Sequence, residues 1–108
     1  MPRILYTVRT TLPSMHLQSR YLSWLVPGHI AAVKAGGAET VRVVLADRNG
    51  EDAPAIVETQ YAFRSRKAFE TYLRNHAPAL RADLLKNFPP DTGILLDRQV
   101  AEIATEMD

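Results

Sequence analysis

Thr40-Val41-Arg42-Val43-Val44-Leu45-Ala46-Asp47, a turn at Arg48-Asn49-Gly50-Glu51-Asp52, and Ala55-Ile56-Val57-Glu58-Thr59-Gln60-Tyr61-Ala62-Phe63 together decide the fold. Both flanks are rich in β-branched and aromatic residues and alternate with period two, the signature of strands. Asn49-Gly50 is a hairpin dipeptide, and the loop runs on to Pro54. The middle of the chain therefore reads as a β-hairpin.

Working outward, each side of this hairpin carries one helical region and one further strand. Ile4 to Leu12 alternates as a strand, with Ile4, Tyr6, Val8 and Thr10 on one face. Pro13 stops it and Ser14 offers an N-cap. Leu17, Tyr21, Trp24 and Leu25 then form one helical stripe. Pro27-Gly28 is expected to break that helix, with a short second piece over residues 29–35 ended by Gly36-Gly37. On the other side, Ser65 caps a helix bearing Phe69, Tyr72, Leu73 and His76. Ala77-Pro78 interrupts it, Leu80, Leu84, Leu85 and Phe88 continue the stripe, and Pro89-Pro90-Asp91 ends it. Residues 93–103 read as the last strand. The order βαββαβ over residues 1–108 is an α+β, ferredoxin-like arrangement in a single domain, a four-stranded antiparallel sheet with two helices on one face.

That arrangement leaves one sheet face uncovered. It would carry Leu5, Thr7, Arg9, Arg42, Val44, Ile56, Glu58, Gln60, Leu95 and Asp97. The face is too apolar for plain solvent exposure and too charged for a sealed core. Two copies stacking sheet to sheet would account for the mixture, so a homodimer is expected. Arg9, Arg42, Glu58 and Asp97 read either as solvated opposite charges or as an ion-pair network.

Composition removes several functions. The chain has 13 basic and 12 acidic residues and a net charge of +1, without the basic excess of a nucleic-acid binder. It has no cysteine, which excludes disulfides, thiolate metal sites and a cysteine nucleophile. No apolar run approaches the roughly 20 residues of a membrane helix, and Arg9 falls too early for a signal peptide. A soluble, cytoplasmic protein with no membrane partner is expected. None of Ser14, Ser19, Ser23 or Ser65 sits in a glycine-flanked elbow, and no phosphate-binding glycine motif occurs.

His16, His29 and His76 are the only histidines, and no two stand four residues apart. No metal site is expected. His76 reads as a helix-end residue. His29, at a helix break, is the better candidate acid or base. Trp24 reads as core or cavity wall, and Tyr6 and Tyr61 as a cross-strand aromatic pair.

The chain resembles an uncharacterised bacterial family and is similar to the dimeric α/β-barrel superfamily. The resemblance rests on Trp24 with His29-Ile30 five residues on, Gln60-Tyr61, the segment Tyr72-Leu73-Arg74-Asn75-His76-Ala77-Pro78-Ala79-Leu80-Arg81, and Arg98. The most specific part is Tyr-Leu-x-x-His-Ala-Pro-x-Leu-Arg. In that family His-Ile is followed by Pro-Asp; here Ala31-Ala32 stand instead, so any chemistry requiring that aspartate is absent.

The resemblance implies a protomer that pairs through its sheet. The superfamily spans cofactor-free monooxygenases, haem-degrading enzymes, dehydratases and binding proteins, so fold alone does not choose an activity. Three readings stand. In the first, a cavity of a few hundred cubic ångström holds a small organic ligand. Tyr6, Trp24, Tyr61, Tyr72 and Arg98 bind it, His29, His76 and Arg81 are candidate catalytic groups, and no cofactor is needed. In the second, the dimer is a non-catalytic interaction module. In the third, a histidine serves a metal or haem.

Overall fold

The structure is a computed structural model and describes residues 2–107. Strands β1 (Ile4–Leu12), β2 (Thr40–Leu45), β3 (Ala55–Phe63) and β4 (Leu95–Glu102) form one antiparallel sheet in the order β2-β3-β1-β4. This is the ferredoxin-like topology, with the first and third strands central. Tyr6 lies opposite Tyr61, Val8 opposite Thr59 and Arg9 opposite Glu58. On the outer flanks Val8 faces Arg98 and Thr59 faces Val43.

Alternation sets the two faces. Ile4, Tyr6, Thr10 and Leu12 of β1, with Ala55, Val57, Thr59, Tyr61 and Phe63 of β3, are buried under the helices. Leu5, Thr7, Ile56, Glu58 and Gln60 lie on the open face and keep partial exposure. The connection between β2 and β3 is not a two-residue turn. It spans 46–54, with Gly50 at φ +147° and the Arg48 guanidinium donating to the Ala53 carbonyl at 2.8 and 3.0 Å.

The helical crossovers follow the caps read from sequence. Helix α1 (Met15–Trp24) opens with the Leu17 N–H donating to Ser14 Oγ at 3.1 Å. Helix α3 (Arg66–Asn75) opens with the Ala68 N–H donating to Ser65 Oγ at 3.1 Å. The expected break at Pro27-Gly28 is corrected. Leu25–His29 forms one π turn, closed by the Ile30 N–H on the Leu25 carbonyl, and the chain enters α2 (Ile30–Ala35) without leaving the helix. Pro27 cannot donate four residues back and its ring crowds that carbonyl. A turn widened by one residue accommodates both defects and keeps the helix. Pro78 stands in the first turn of α4 (Ala77–Asn87), where a missing N–H costs nothing. After a short turn at Pro90–Thr92, Gly93 takes φ +81°, so β4 begins at Leu95 and not at Gly93.

The core under the helices comes as two clusters. One gathers Ile4, Tyr6, Val33, Phe63, Phe69 and Tyr72 at one end of the central strands. The other gathers Leu12, Leu17, Tyr21, Leu25, Val57 and Phe88 at the opposite end. Burying each large apolar side chain stabilises the fold by about 1.5–3 kcal/mol.

Gly36 closes α2 against the first cluster. A Cβ there would lie 2.9 Å from Tyr72 Cδ1 and 3.0 Å from His76 Cγ. Glycine-to-alanine changes at compatible sites usually stabilise by about 0.4–1 kcal/mol. Here the buried Tyr72 ring would have to move, so Gly36→Ala is expected to destabilise by about 1–3 kcal/mol in urea unfolding.

Candidate functional site

A cavity lies where the two clusters fail to meet. Its floor is one row across the sheet, Thr59, Val8 and Arg98, neighbours by strand register. Valine and threonine are the small residues of that row. On one side the next row rises to the Tyr6–Tyr61 pair, whose rings stack at 6.0 Å. Tyr72 of α3 stands over Tyr6, with ring centres 6.2 Å apart. Leu80, Arg81 and Leu84 of α4, together with Tyr21, Trp24 and His29, complete the wall. The room left for the centre of a water molecule is about 30 Å³. The expected few hundred cubic ångström is therefore corrected: the aromatic walls close on one another.

The π turn builds one wall. In an α-helix, residues three and four apart are neighbours. A turn closed by i→i+5 bonds brings residues five apart together. Trp24 and His29 accordingly stack at 4.3 Å with planes 26° apart. The Trp24 Nε1–H donates to Asp83 Oδ2 of α4 at 3.2 Å. Trp24 also borders an open surface groove lined by His16, Arg20 and Phe88, so its ring partitions groove from cavity.

Buried polar atoms cluster here. His29 Nδ1 and Thr59 Oγ1 are buried with no hydrogen-bond partner among the described residues. Burial pushes the His29 pKa below its ordinary value; Asp83 opposes this and Arg98 adds to it. His29 is thus neutral at pH 7 and can accept a proton. Burial also raises the Tyr61 hydroxyl well above its usual range, reinforced by neighbouring tyrosines, and Tyr72 to about 12, reinforced by Tyr6 and opposed by Arg81 and Arg98. Tyr21, raised by burial, shares a 2.9 Å hydrogen bond with Thr10. The Arg81 guanidinium donates to the Tyr6 hydroxyl at 3.4 Å. The site thus offers protonated hydroxyls, a neutral imidazole and two permanent cations.

Residues 3–102 match the family described as Domain of unknown function (DUF4286). The chain belongs to that family. No curated protein matches this DUF4286 chain. By shape it is similar to a dimeric ferredoxin-like protein from an uncultured marine organism, at 16% identity over 99% of this chain and 100% of the other, with a TM-score of 0.66. It is also similar to an ethyl tert-butyl ether d (EthD) family protein from Bacillus halodurans, at 13% identity over 95% and 99%, TM-score 0.63. A third is SnoaB, a cofactor-independent oxygenase from Streptomyces nogalater, at 12% identity over 99% and 97%, TM-score 0.59. At these identities the likeness is one of fold.

Of the residues singled out in the DUF4286 sequence, Tyr6, Trp24, His29, Tyr61, Tyr72, Arg81 and Arg98 all line the cavity. His76 does not. It joins α3 to α4, and its ring lies parallel to Tyr72 at 6.4 Å, beneath Gly36. His16 lies in the surface groove. Among the described residues no three His, Asp or Glu side chains gather as a metal site, and no helix is long and apolar enough to cross a membrane. Ala31 and Ala32 follow His29 on α2, and the carboxylate acting on His29 is Asp83 of α4. Sequence reading missed Tyr21 and Thr59 as cavity residues. Each sits at an ordinary core position in its own element, and only the register puts Thr59 beside Val8.

On the open face, Glu58 Oε2 accepts from Arg9 Nη2 at 3.2 Å and Glu58 Oε1 from Gln60 Nε2 at 2.8 Å. Gln60 Oε1 in turn accepts from Arg42 Nε and Nη2 at 2.9 and 2.6 Å. The Gln60 amide, then Arg9, lowers the Glu58 pKa. Of the four charges expected to form a network, Arg9 and Glu58 form an ion pair, Arg42 is held by the neutral Gln60 amide, and Asp97 forms no ion pair with Arg9.

Two measurements check the cavity chemistry. Thr59→Val keeps the shape and removes an unpartnered hydroxyl, so it is expected to raise stability by about 1 kcal/mol or more. A loss would show that the hydroxyl is satisfied. His29, with a folded pKa below the unfolded value near 6.5, contributes nothing to pH dependence well above pH 6.5. As pH falls below that value the unfolded state takes up its proton first, and stability declines until the folded pKa is passed. His29→Gln is expected to abolish this component of the urea midpoint measured from pH 7.5 to 5.

Proposed function

We propose that this protein is a homodimer, paired through its open sheet face, that binds a small organic ligand in the cavity on the helix side. The observation that carries the ligand reading is that two buried, unpartnered polar atoms, His29 Nδ1 and Thr59 Oγ1, belong to one aromatic-walled cavity. Native proteins rarely leave such atoms unsatisfied, and ligand sites are a recurrent exception. Tyr6, Trp24, Tyr61, Tyr72 and Arg98 supply the binding walls, and His29 and Arg81 the groups able to move a proton or hold charge. Binding requires Arg81, exposed at the rim, and Leu80 to move outward. The fold likeness to a cofactor-independent oxygenase fits chemistry without a cofactor, and the likeness to a dimeric protein fits the pairing.

The small volume favours a second reading, a non-catalytic module whose function is the dimer itself. The two are separated by ¹⁵N NMR titration with a panel of aromatic and heteroaromatic fragments. Ligand binding predicts shifts concentrated at Val8, Thr59, Tyr61 and Arg98 for some fragments. A panel that moves none of these amides favours the interaction module. Pairing is tested by light scattering at micromolar concentration. The wild type is expected to be dimeric, with an interface above about 1,000 Å² in total. Ile56→Lys, on the open face, is expected to shift it to monomer while leaving the fold intact. A monomeric wild type would refute the dimer.

A further inference from the structure

The cavity is unbalanced in charge. Among the described residues its lining holds Arg81 and Arg98 and no carboxylate. Among the described residues neither arginine is within ion-pair distance of an acid; the pairs formed are Arg3 with Glu39 and Glu106, and Arg9 with Glu58. Nearby Asp83 does not line the cavity and accepts from the Trp24 indole at 3.2 Å. The cations of the open face differ in this respect, since Arg9 and Arg42 already donate to Glu58 and Gln60.

Arg81 reaches the Tyr6 hydroxyl only at 3.4 Å, a long contact that leaves most of its donors free. Arg98 projects from the floor row beside Val8. It is close enough to act electrostatically on Tyr21, His29 and Tyr72. Around these charges the walls are flat rings, and Tyr6 and Tyr61 are nearly parallel, their planes 28° apart. A slot with aromatic walls, Arg81 at its rim and Arg98 at the edge of its floor, neither in an ion pair among the described residues, matches a flat body carrying a negative end.

Resting on the ligand-binding reading above, we propose that the cavity takes a planar organic anion of the aromatic carboxylate class. The carboxylate is held by Arg81 and Arg98, and the ring lies against Tyr6, Tyr61 and Tyr72. Thr59 Oγ1 and His29 Nδ1 serve polar substituents on the inner edge of the ring.

The test compares benzoate with benzamide, which has nearly the same shape and no charge, by calorimetry and ¹⁵N NMR on the full chain. Benzoate is expected to bind about tenfold tighter, with shifts at Val8, Thr59 and Arg98, and to weaken as salt is raised while benzamide does not. Arg81→Gln and Arg98→Gln change exposed side chains, so the fold is expected to persist, as circular dichroism would verify. Each variant is expected to weaken benzoate about tenfold and benzamide, which offers only a neutral carbonyl, by clearly less. Equal affinity for the two probes, insensitivity of benzoate to both variants, or benzoate shifts confined to the open face would overturn the proposal. If neither probe binds while other fragments shift the cavity amides, this inference fails and the ligand-binding reading survives. If no fragment binds there, both fail.

Discussion

The antiparallel pairing of β1 with β3 is the constraint on which the rest depends. Both strands are central, so each has hydrogen-bonding partners on both sides and one face that must be covered. Period two assigns Tyr6, Val8 and Thr10 of β1, and Val57, Thr59 and Tyr61 of β3, to that face. A one-residue slip would send every one of them to the other side. The two crossovers bring their apolar stripes to the same face, and the register then decides which strand residues the helices meet. Tyrosines at one end and valine, alanine and leucine at the other each find partners. The middle row, Val8 with Thr59, is too small to fill the span between them.

The π turn is the second determinant, and it acts through spacing. Helix α1 brings Trp24 to the edge of the sheet, and an ordinary α turn would carry His29 away from it. The widened turn at Leu25–His29 stacks the imidazole on the indole. Trp24 is fixed on its other flanks by Tyr21 and Phe88 at 5.7 Å each, and by Asp83. His29 is thereby held half-buried, and its lowered pKa follows from that placement. Ala31-Ala32 place no carboxylate next to this histidine in the chain, and the acidic influence on it comes from Asp83 of α4.

Much of the fold was legible in the sequence because its signals were local. Alternation gave the four strands, Ser14 and Ser65 marked helix starts, and the sorting of open-face from covered residues follows from alternation once the hairpin is seen. The cross-strand Tyr6–Tyr61 pair was legible for the same reason. What the sequence did not disclose depends on tertiary geometry. Pro27-Gly28 carries every sign of a helix break, yet packing of Leu25 and Val33 on either side keeps the helix continuous through a π turn. His76 shares a face with Phe69 and Tyr72, so it looked like a site candidate. Its ring instead lies beside Tyr72 under Gly36, away from the cavity. The volume of the cavity was also hidden, since it depends on how closely five aromatic side chains approach.

The economy of the site separates packing from function. A buried polar atom without a partner costs about 1–3 kcal/mol, and a protein of this size has roughly 5–15 kcal/mol of net stability. His29 Nδ1 and Thr59 Oγ1 together therefore cost a sizeable share of the margin. Valine at position 59 would fit the same strand better, because β-branched apolar residues suit a buried pleated surface. An ordinary core would have no use for either polar atom. Thr59 stands in the row that the two clusters leave unfilled, and His29 lines the same cavity from the π turn, beside two arginines that form no ion pair among the described residues. The 30 Å³ left between the walls is too small for an organic molecule, so the proposed ligand binding requires the exposed Arg81 side chain and Leu80 to swing clear.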